Sequence, residues 1–413
     1  MRRTFPGRHS HLSCVGGGLA ANNPAMSAPV RIETLPRFAS ALKAIESLKP
    51  DEPLYLVYPE KFAAAARTFL TGFPGDVLYA VKANPHPIAI QHLWGAGIRH
   101  FDTASLGEIE IVKNLFPGAI CHFMAPVRLP GQGKAAFEKY GVTDFVVDSG
   151  SELDKLLAET GNPRKLRIFV RLVAQLGGAL LEMSSKYGCS PEEAAKLLHK
   201  VKASGAAPCL TFHVGSQCLS PFSYAQAIEI AQRTITLAGV EIAALDIGGG
   251  FPTSYAGQEA PPYHWYFDMV KEALITLGRP DLPVLCEPGR ALTAQGLSLV
   301  TQIIMRRGDR LYINDGIYGS FDEQRFAGFD EDYPPTAVTL DKNKARVLAG
   351  EKRPFRVYGP TCDSQDVLPR PQMLPDGIAN GDFIIFDAMG AYTVSSRSSF
   401  NGFYPDSWAV IGD

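Results

Sequence analysis

The chain has 413 residues, of which 46% are hydrophobic, 20% charged and 10% aromatic, a composition typical of globular proteins and a length sufficient for two domains. The formal net charge of −2 excludes a whole-molecule field that would attract nucleic acid or an anionic membrane. No run reaches the roughly 18 consecutive apolar residues that a membrane span needs. We therefore expect a cytoplasmic protein that binds neither nucleic acid nor membrane.

The seven cysteines form no C-x-x-C pair, which argues against a zinc ribbon or a redox motif and predicts reduced thiols and no metal site. The first 25 residues lack Asp and Glu and contain no apolar stretch of the kind found in secretory signals. We expect residues 1–25 to be a disordered tail outside the fold, and a transit peptide is the alternative.

Short β-rich runs alternate with amphipathic helical patterns between residues 54 and 292. The predicted strands are Leu78–Val81, Ile98–Asp102, Ile120–Met124, Asp144–Val147, Leu166–Leu172, Leu210–Val214, Ala244–Ile247 and Val284–Cys286. Helices are predicted at Ser105–Leu115, Ser151–Thr160, Pro191–Ala203 and Tyr224–Ala238. Eight such units predict an α/β fold whose parallel strands close into a (β/α)8 barrel, and a doubly wound open sheet is the alternative.

A different pattern begins after Arg290, where strand-like runs alternate with Gly, Pro and Asp turns. The predicted strands are Leu297–Met305, Arg310–Ile313, Phe355–Tyr358, Asp382–Phe386 and Trp408–Ile411. We expect an antiparallel β-domain over residues 293–413, joined by a strand from residues 28–53. The charged, proline-containing segment Phe321–Arg353 is predicted to be a long loop or insertion.

Polar residues follow several of the predicted barrel strands at the point where each strand ends. They are Lys82, Asp102, His213, Gly248–Gly250 and Glu287. The C-terminal ends of barrel strands converge on one mouth, where active sites of such barrels are built. Because these residues would meet there, they predict a single site and favour the barrel over the open sheet.

Two of these residues suit the opposite ends of a pyridoxal 5′-phosphate (PLP) ring system. A lysine that carries PLP covalently needs a rigid stem and partial desolvation to lower its pKa, and Lys82 at a strand end would have both. A carboxylate such as Glu287 can keep the pyridine nitrogen protonated, which makes the ring an electron sink. The alternatives are a solvated lysine and a carboxylate that pairs with Arg290.

The segment Asp246–Pro252 contains three consecutive glycines at a strand-to-helix turn. Backbone N–H groups in such a turn can surround a phosphate, and barrels commonly bind phosphate after strands seven and eight. A flexible turn is the alternative. His213 is a hydrogen-bonded core residue or a ring that stacks on the pyridine, with Ser216 donating to phosphate. Cys362 lies among acidic residues, and such a thiol can return a proton to a carbanion.

Taken together, these motifs resemble the fold-type III PLP decarboxylases, the ornithine decarboxylase family, over about residues 54–413. The motifs are Tyr79–Pro85, Phe101–Ser105, Phe212–Ser216, Asp246–Pro252, Glu287–Arg290, Asn314–Phe321, Gly359–Asp366, Met389–Thr393 and Phe400–Phe403. The resemblance implies an alanine racemase-like fold, in which a PLP-binding (β/α)8 barrel and a β-domain form a head-to-tail homodimer with shared active sites.

The resemblance also implies a role for individual residues. Lys82 would carry PLP, Glu287 would hold the pyridine nitrogen, and His213 would cover the ring. The residues implied at the phosphate and elsewhere around the cofactor are Asp102, Glu108, Arg167, Ser216, Gly248, Gly249, Gly250, Gly289, Arg290 and Tyr392.

The substrate and the second subunit are assigned in the same way. Cys362 would be the proton donor, and Asp363 would bind the distal amine of the substrate, with Tyr318 and Phe400 beside it. Lys186 and Asp366 would form an ion pair between subunits.

The activity implied is decarboxylation of a basic amino acid, with L-ornithine and its product putrescine as the first expectation. Lysine or another diamino acid is the alternative. Diaminopimelate decarboxylases typically have Glu after the Cys, so Asp363 argues against that reaction. Alanine racemase shares the barrel and PLP but lacks this Cys-Asp signature. A catalytically inactive regulatory homologue is the alternative outside enzymes.

One position departs from the family pattern. In the ornithine enzymes a second substrate-facing Asp follows the Tyr-Gly-Ser-Phe stretch. Ungapped counting here reaches Phe326 and Ala327, with Asp330 and Asp332 a little beyond. This departure bears on the choice of ornithine rather than on basic amino acids as a class.

Overall fold

The computed structural model describes residues 34–174, 179–181, 185–325 and 333–412. Its strands are β1 (Arg37–Phe38), β2 (Leu54–Val57), β3 (Asp76–Ala80), β4 (His100–Thr103), β5 (Ile120–Phe123), β6 (Asp144–Val147), β7 (Arg167–Arg171), β8 (Ala179–Leu181), β9 (Ala207–Thr211), β10 (Ser216–Cys218), β11 (Leu245–Asp246), β12 (Val284–Cys286), β13 (Leu297–Arg307), β14 (Arg310–Ile313), β15 (Pro335–Asp341), β16 (Lys344–Val347), β17 (Lys352–Tyr358), β18 (Gln372–Pro375), β19 (Phe383–Phe386) and β20 (Ser407–Ile411).

Most of the helices connect consecutive barrel strands along the chain and pack on the outside of the barrel. They are α1 (Ala41–Leu48), α2 (Pro59–Gly72), α3 (Pro87–Gly95), α4 (Leu106–Leu115), α5 (Gln132–Tyr140), α6 (Gly150–Thr160), α7 (Pro191–Ser204), α8 (Phe222–Ala238), α9 (Tyr263–Thr276) and α10 (Arg290–Thr293). Across the ranges given above, no helix has the length and apolar character needed to cross a bilayer.

Eight parallel strands close into a barrel in the order β11-β12-β3-β4-β5-β6-β7-β9. Closure occurs where β12 pairs with β3, with Cys286 opposite Val77. The predicted (β/α)8 barrel is therefore confirmed, and the open-sheet alternative is excluded because an open sheet has no such pairing between its first and last strands.

The barrel is filled rather than hollow. Alternate side chains of its strands point inward, and one buried interior cluster contains Leu78, Met124, Val146, Phe169, Cys209, Ala244 and Leu285. Residues of the opposite parity, such as Tyr79 and Phe101, pack outward among the helices. This packing explains why most of the barrel strands are apolar on both faces.

The second sheet is mostly antiparallel, although β1–β20, β2–β20 and β14–β17 pair in parallel. The expected start of the barrel at residue 54 is corrected, since Leu54–Val57 pairs with β13 and β20 in this sheet. A short apolar run suits either domain, and only its distant partners decide which one it joins. The barrel therefore begins after this strand.

The prediction of a loop over Phe321–Arg353 is wrong for much of that segment. Strands β15 and β16 form a hairpin in which Asp341 lies opposite Lys344. Its turn residues Lys342 and Asn343 both have positive φ, as a two-residue hairpin turn requires. Several of the charges that suggested a loop, such as Lys344 and Arg346, lie on this partly exposed hairpin.

Several sequence predictions lie outside the described residues. They concern the tail at residues 1–25 and the positions counted for the second aspartate, which are Phe326, Ala327, Asp330 and Asp332.

Candidate active site

The polar residues predicted to meet at the barrel mouth do meet there. One pocket there is lined by Ala80, Lys82, His213, Ser216, Gly249, Gly250, Phe251, Glu287, Gly289, Arg290 and Tyr392. Of the predicted residues, Asp102 and Gly248 are not part of this lining. Most of these residues follow the C-terminal ends of barrel strands, whereas Tyr392 comes from the β-domain. The site is therefore built where the two domains join.

Lys82 lies on a single 3-10 turn, Val81–Ala83, directly after β3. This turn is tied to the β-domain because Tyr392 N–H donates to the Ala83 carbonyl at 2.8 Å. Burial by itself would lower the pKa of Lys82, but Asp102, Tyr392 and Glu287 outweigh burial and leave that pKa raised. The expected lowering is thus reversed, because these neighbours favour the ammonium form of Lys82.

Two buried carboxyl groups, those of Asp102 and Glu287, lie near Lys82, and a third, that of Asp246, lies beside Glu287. Burial, followed by the charge of Glu287, raises the pKa of Asp102 well above its ordinary value. Burial also raises the pKa of Asp246 to about 6 and raises that of Glu287 well above its ordinary value. These two carboxyl groups share a hydrogen bond. Asp246 already accepts hydrogen bonds from Gly248 N–H at 3.0 Å and from the Thr211 hydroxyl at 2.8 Å. Asp246 is therefore the better carboxylate of the pair, and Glu287 retains the proton.

His213 is hydrogen-bonded and lines the pocket at the same time. The Gly215 N–H donates to its Nδ1 at 3.0 Å, so the neutral ring carries its proton on Nε2. Burial and the positive charge of Lys82 hold the pKa of His213 well below its ordinary value. A neutral, flat ring at this position suits stacking on an aromatic cofactor.

The glycines of the pocket leave no space for a side chain. A Cβ on Gly250 would lie 2.4 Å from the Gly215 carbonyl oxygen, and one on Gly249 would lie 2.6 Å from that of Glu287. Gly250 also has φ of 104°, a conformation that other residues rarely adopt. The backbone is thereby exposed to the pocket as a cradle, which fits the phosphate of PLP.

Arg290 closes the same end of the pocket and is almost completely buried. It forms a two-pronged ion pair with Glu323 and donates from Nη1 to the Tyr255 hydroxyl at 2.7 Å. Its Nη2 lies 3.3 Å from Ser216 Oγ. Glu323 was missed because its segment was predicted to be a loop, and nothing in the local sequence pattern connects it to Arg290.

Arg167 does not support the cofactor, and that prediction is wrong. It begins β7 at the end opposite the mouth, where it forms an ion pair with Asp144. Arg171 ends the same strand, and its positive charge lowers the pKa values of His213 and Glu287. The rule that barrel sites form at C-terminal strand ends could have identified Arg171 from the sequence.

The predicted substrate residues form a second group away from the Lys82 pocket. The Tyr318 hydroxyl donates to Asp363, and its ring centroid lies 4.6 Å from that of Phe400. Cys362 is exposed, with its Sγ 3.2 Å from Asn401 Oδ1. In the part of the chain that the structure describes, none of Tyr318, Cys362, Asp363 and Phe400 lines the Lys82 pocket.

The Tyr318 hydrogen bond lowers the pKa of Asp363, so Asp363 is a carboxylate. It is only partly buried within one chain. Asp366, by contrast, is buried and accepts N–H groups from Ile317 and Thr361, each at 3.0 Å. Asp366 therefore organises two loops of its own chain, and its pairing with Lys186 across a dimer stays a prediction.

Over the described ranges, no group of three or more His, Cys, Asp or Glu side chains could hold a metal ion. Glu108, which was expected near the cofactor, accepts the Ala104 N–H at 2.6 Å, and burial raises its pKa. Together the lysine, the carboxyl pair, the neutral histidine and the glycine cradle match the chemical groups of PLP.

Comparison with known proteins agrees with this assignment. Residues 59–294 match the family model for the pyridoxal binding domain of pyridoxal-dependent decarboxylases. Lysine/ornithine decarboxylase of Selenomonas ruminantium is 34% identical over 79% of this chain and 81% of that protein. Ornithine decarboxylase of Panagrellus redivivus is 32% identical over 79% of this chain and 77% of that protein.

A solved structure extends the similarity to both domains. The crystal structure of lysine/ornithine decarboxylase from Vibrio vulnificus complexed with putrescine has a TM-score of 0.76 and 31% sequence identity. The match covers 91% of this chain and 99% of that one. The family model begins just after Leu54–Val57, in agreement with the corrected start of the barrel.

Proposed function

The chain belongs to the family of pyridoxal-dependent decarboxylases and acts on a basic amino acid, and we propose that its substrate is L-ornithine, converted into putrescine and CO₂ for polyamine biosynthesis. Asp363 carries the proposal. Its ionised carboxylate is held by Tyr318 and lies in the loop that also contains Cys362. A substrate whose distal end carries only an amine would offer this carboxylate a cation, whereas diaminopimelate would also bring its second carboxylate against it.

When bound, PLP supplies an electron sink for the negative charge that CO₂ leaves at the substrate carbon. The residues of the pocket fit this group. Lys82 would hold the aldehyde carbon. Glu287, which retains a proton beside Asp246, would share that proton with the pyridine nitrogen. His213 would cover one face of the ring.

The end of the pocket assigned to the phosphate contains several hydrogen-bond donors. Ser216, Arg290 and Tyr392 line it together with Gly249 and Gly250. Their hydroxyls, guanidinium and backbone N–H groups are the donors that a phosphate dianion requires. Holding the phosphate here would anchor the cofactor in the pocket.

Cys362 is the proposed proton donor to the substrate carbon after CO₂ has left. Its thiol is exposed in one chain and lies outside the Lys82 pocket. We propose a head-to-tail homodimer in which Cys362 and Asp363 of one protomer complete the pocket of the other. The separation of the two groups within a single chain supports this arrangement.

The purified enzyme should be tested with L-ornithine, L-lysine, L-arginine and diaminopimelate, with the amine products identified by mass spectrometry. The proposal expects putrescine and the highest kcat/KM with L-ornithine. A higher kcat/KM with lysine would move the assignment to cadaverine formation and leave the family assignment intact. Turnover of diaminopimelate alone would contradict the role of Asp363.

A further inference from the structure

Glu323 is a buried acid at the phosphate end of the pocket. Its side chain is 4% exposed, and that of Arg290 is 3% exposed. Its two carboxylate oxygens accept from both terminal nitrogens of Arg290, and Oε2 also accepts from the Tyr333 hydroxyl at 3.3 Å. The pair therefore lies in an interior where charges interact strongly.

The terminal N–H groups of Arg290 are divided among several acceptors. Nη1 donates to Glu323 and Tyr255, and Nη2 donates to Glu323 and Ser216. The guanidinium also lies 4.8 Å from the centre of the Tyr392 ring. Arg290 is thus held in place from several sides, and Glu323 neutralises the charge that a phosphate would use.

We propose that Glu323 is a positioning residue that competes with the cofactor phosphate for Arg290 and thereby sets how tightly PLP is held. This inference rests on the assignment of Arg290 to the phosphate. A carboxylate bound to the same guanidinium repels a phosphate dianion across the short distance that one guanidinium spans. Tyr255, Ser216 and the Tyr392 ring would still hold Arg290 if the carboxylate were neutralised, so repulsion outweighs the loss of one support.

The decisive variant is Glu323→Gln, which keeps the shape of the side chain and removes its charge. PLP affinity is measured by titrating PLP-depleted enzyme and following the absorbance of bound cofactor, with inorganic phosphate as a competitor. We expect Glu323→Gln to bind both PLP and inorganic phosphate about tenfold more tightly than the wild type. The conservative variant Glu323→Asp retains the charge and should remain within about twofold of the wild type.

Two further variants separate this effect from a merely structural one. Glu152→Gln breaks another Arg-Glu pair, with Arg128, whose side chain is 1% exposed and which does not line the pocket. It should lower the unfolding temperature without changing PLP affinity. Tyr333→Phe removes a hydrogen bond to Glu323, which strengthens the carboxylate as a competitor and should weaken PLP binding about twofold. If Glu323→Gln does not fold, PLP affinity in Tyr333→Phe tests the proposal instead, and affinity equal to or higher than that of the wild type would contradict it.

Arg290→Lys distinguishes the failure of this inference from the failure of the phosphate assignment. If Arg290→Lys weakens PLP binding while Glu323→Gln leaves it unchanged or weaker, Glu323 does not compete for Arg290, and the inference is overturned. If Arg290→Lys has no effect on PLP or inorganic phosphate, the phosphate lies elsewhere, and both assignments fail.

Discussion

The carboxyl groups of Asp246 and Glu287 share a hydrogen bond at the mouth of the barrel. They are neighbours because β11 and β12 pair in parallel, with Asp246 at the end of β11 opposite Leu285 and Glu287 directly after the end of β12. The Glu287 N–H also donates to the Gly248 carbonyl at 2.8 Å. Asp246 on the neighbouring strand therefore raises the pKa of Glu287, the residue proposed to hold the pyridine nitrogen.

Asp246→Asn should stabilise the PLP-depleted protein above pH 6. A carboxyl whose folded pKa is raised to about 6 stabilises the fold while protonated and loses that stability as the pH rises through about 6. Asparagine carries no charge, its Oδ1 can accept from the Gly248 N–H, and its Nδ2 can donate to the Thr211 hydroxyl oxygen. We expect an unfolding temperature a few degrees above that of the wild type at pH 8, and no advantage at pH 4. A difference that is independent of pH would show that Asp246 does not titrate in this range.

Arg171→Ala and Arg167→Ala should affect different properties although both residues belong to β7. Loss of Arg171 removes a positive charge from beside His213 and Glu287, so we expect PLP affinity to fall about tenfold. Loss of Arg167 leaves the buried Asp144 without its cation and should cost about 2 kcal/mol of stability with PLP affinity unchanged. Cofactor titration and thermal unfolding measure the two effects. Weaker PLP binding in Arg167→Ala would restore the original assignment.

Cys362→Ala should slow amine formation about a hundredfold while PLP remains bound, because the thiol is the proposed proton donor. Protonation at the wrong carbon would divert part of the turnover toward transamination, which chromatography of the products detects. Ser364→Ala, at an exposed position in the same loop, is the matched control. If Cys362→Ala shows wild-type rates and products, another group delivers the proton.

Asp363→Ala should raise the KM for ornithine at least about tenfold and leave PLP affinity unchanged, since the carboxylate would bind the distal amine. Tyr318→Phe should give a smaller change because it removes the hydrogen bond that holds the Asp363 carboxylate in place. Asp341→Ala, on the remote exposed hairpin, is the control for loss of an acid. Equal KM values in Asp363→Ala and the wild type would place distal-amine recognition elsewhere.

Mixing inactive Lys82→Ala with inactive Cys362→Ala should restore about a quarter of the wild-type activity. Random exchange makes half of the dimers mixed, and each mixed dimer has one complete site if the pocket is shared. The measurement is putrescine formation after refolding the two variants together. If each protomer contained its own Cys362, the mixture would show no gain over the separate variants.

The amino-acid sequence by itself determined the barrel and the residues of its mouth. All eight barrel strands were predicted close to their observed positions, because apolar runs with helices between them are a local pattern. Since parallel strands in a barrel all end at one mouth, the sequence alone predicts a site that contains Lys82, His213, Gly250 and Glu287.

Only the tertiary structure decided which distant groups meet. Arg167, at the start of β7, pairs with Asp144 on the neighbouring strand, a contact that the local sequence of neither residue predicts. The strand Leu54–Val57 joined the β-domain through partners more than two hundred residues away. The pairing of Glu323 with Arg290 and the raised pKa of Lys82 arise in the same way. Charge balance depends on burial and on neighbours through space, which local periodicity does not encode.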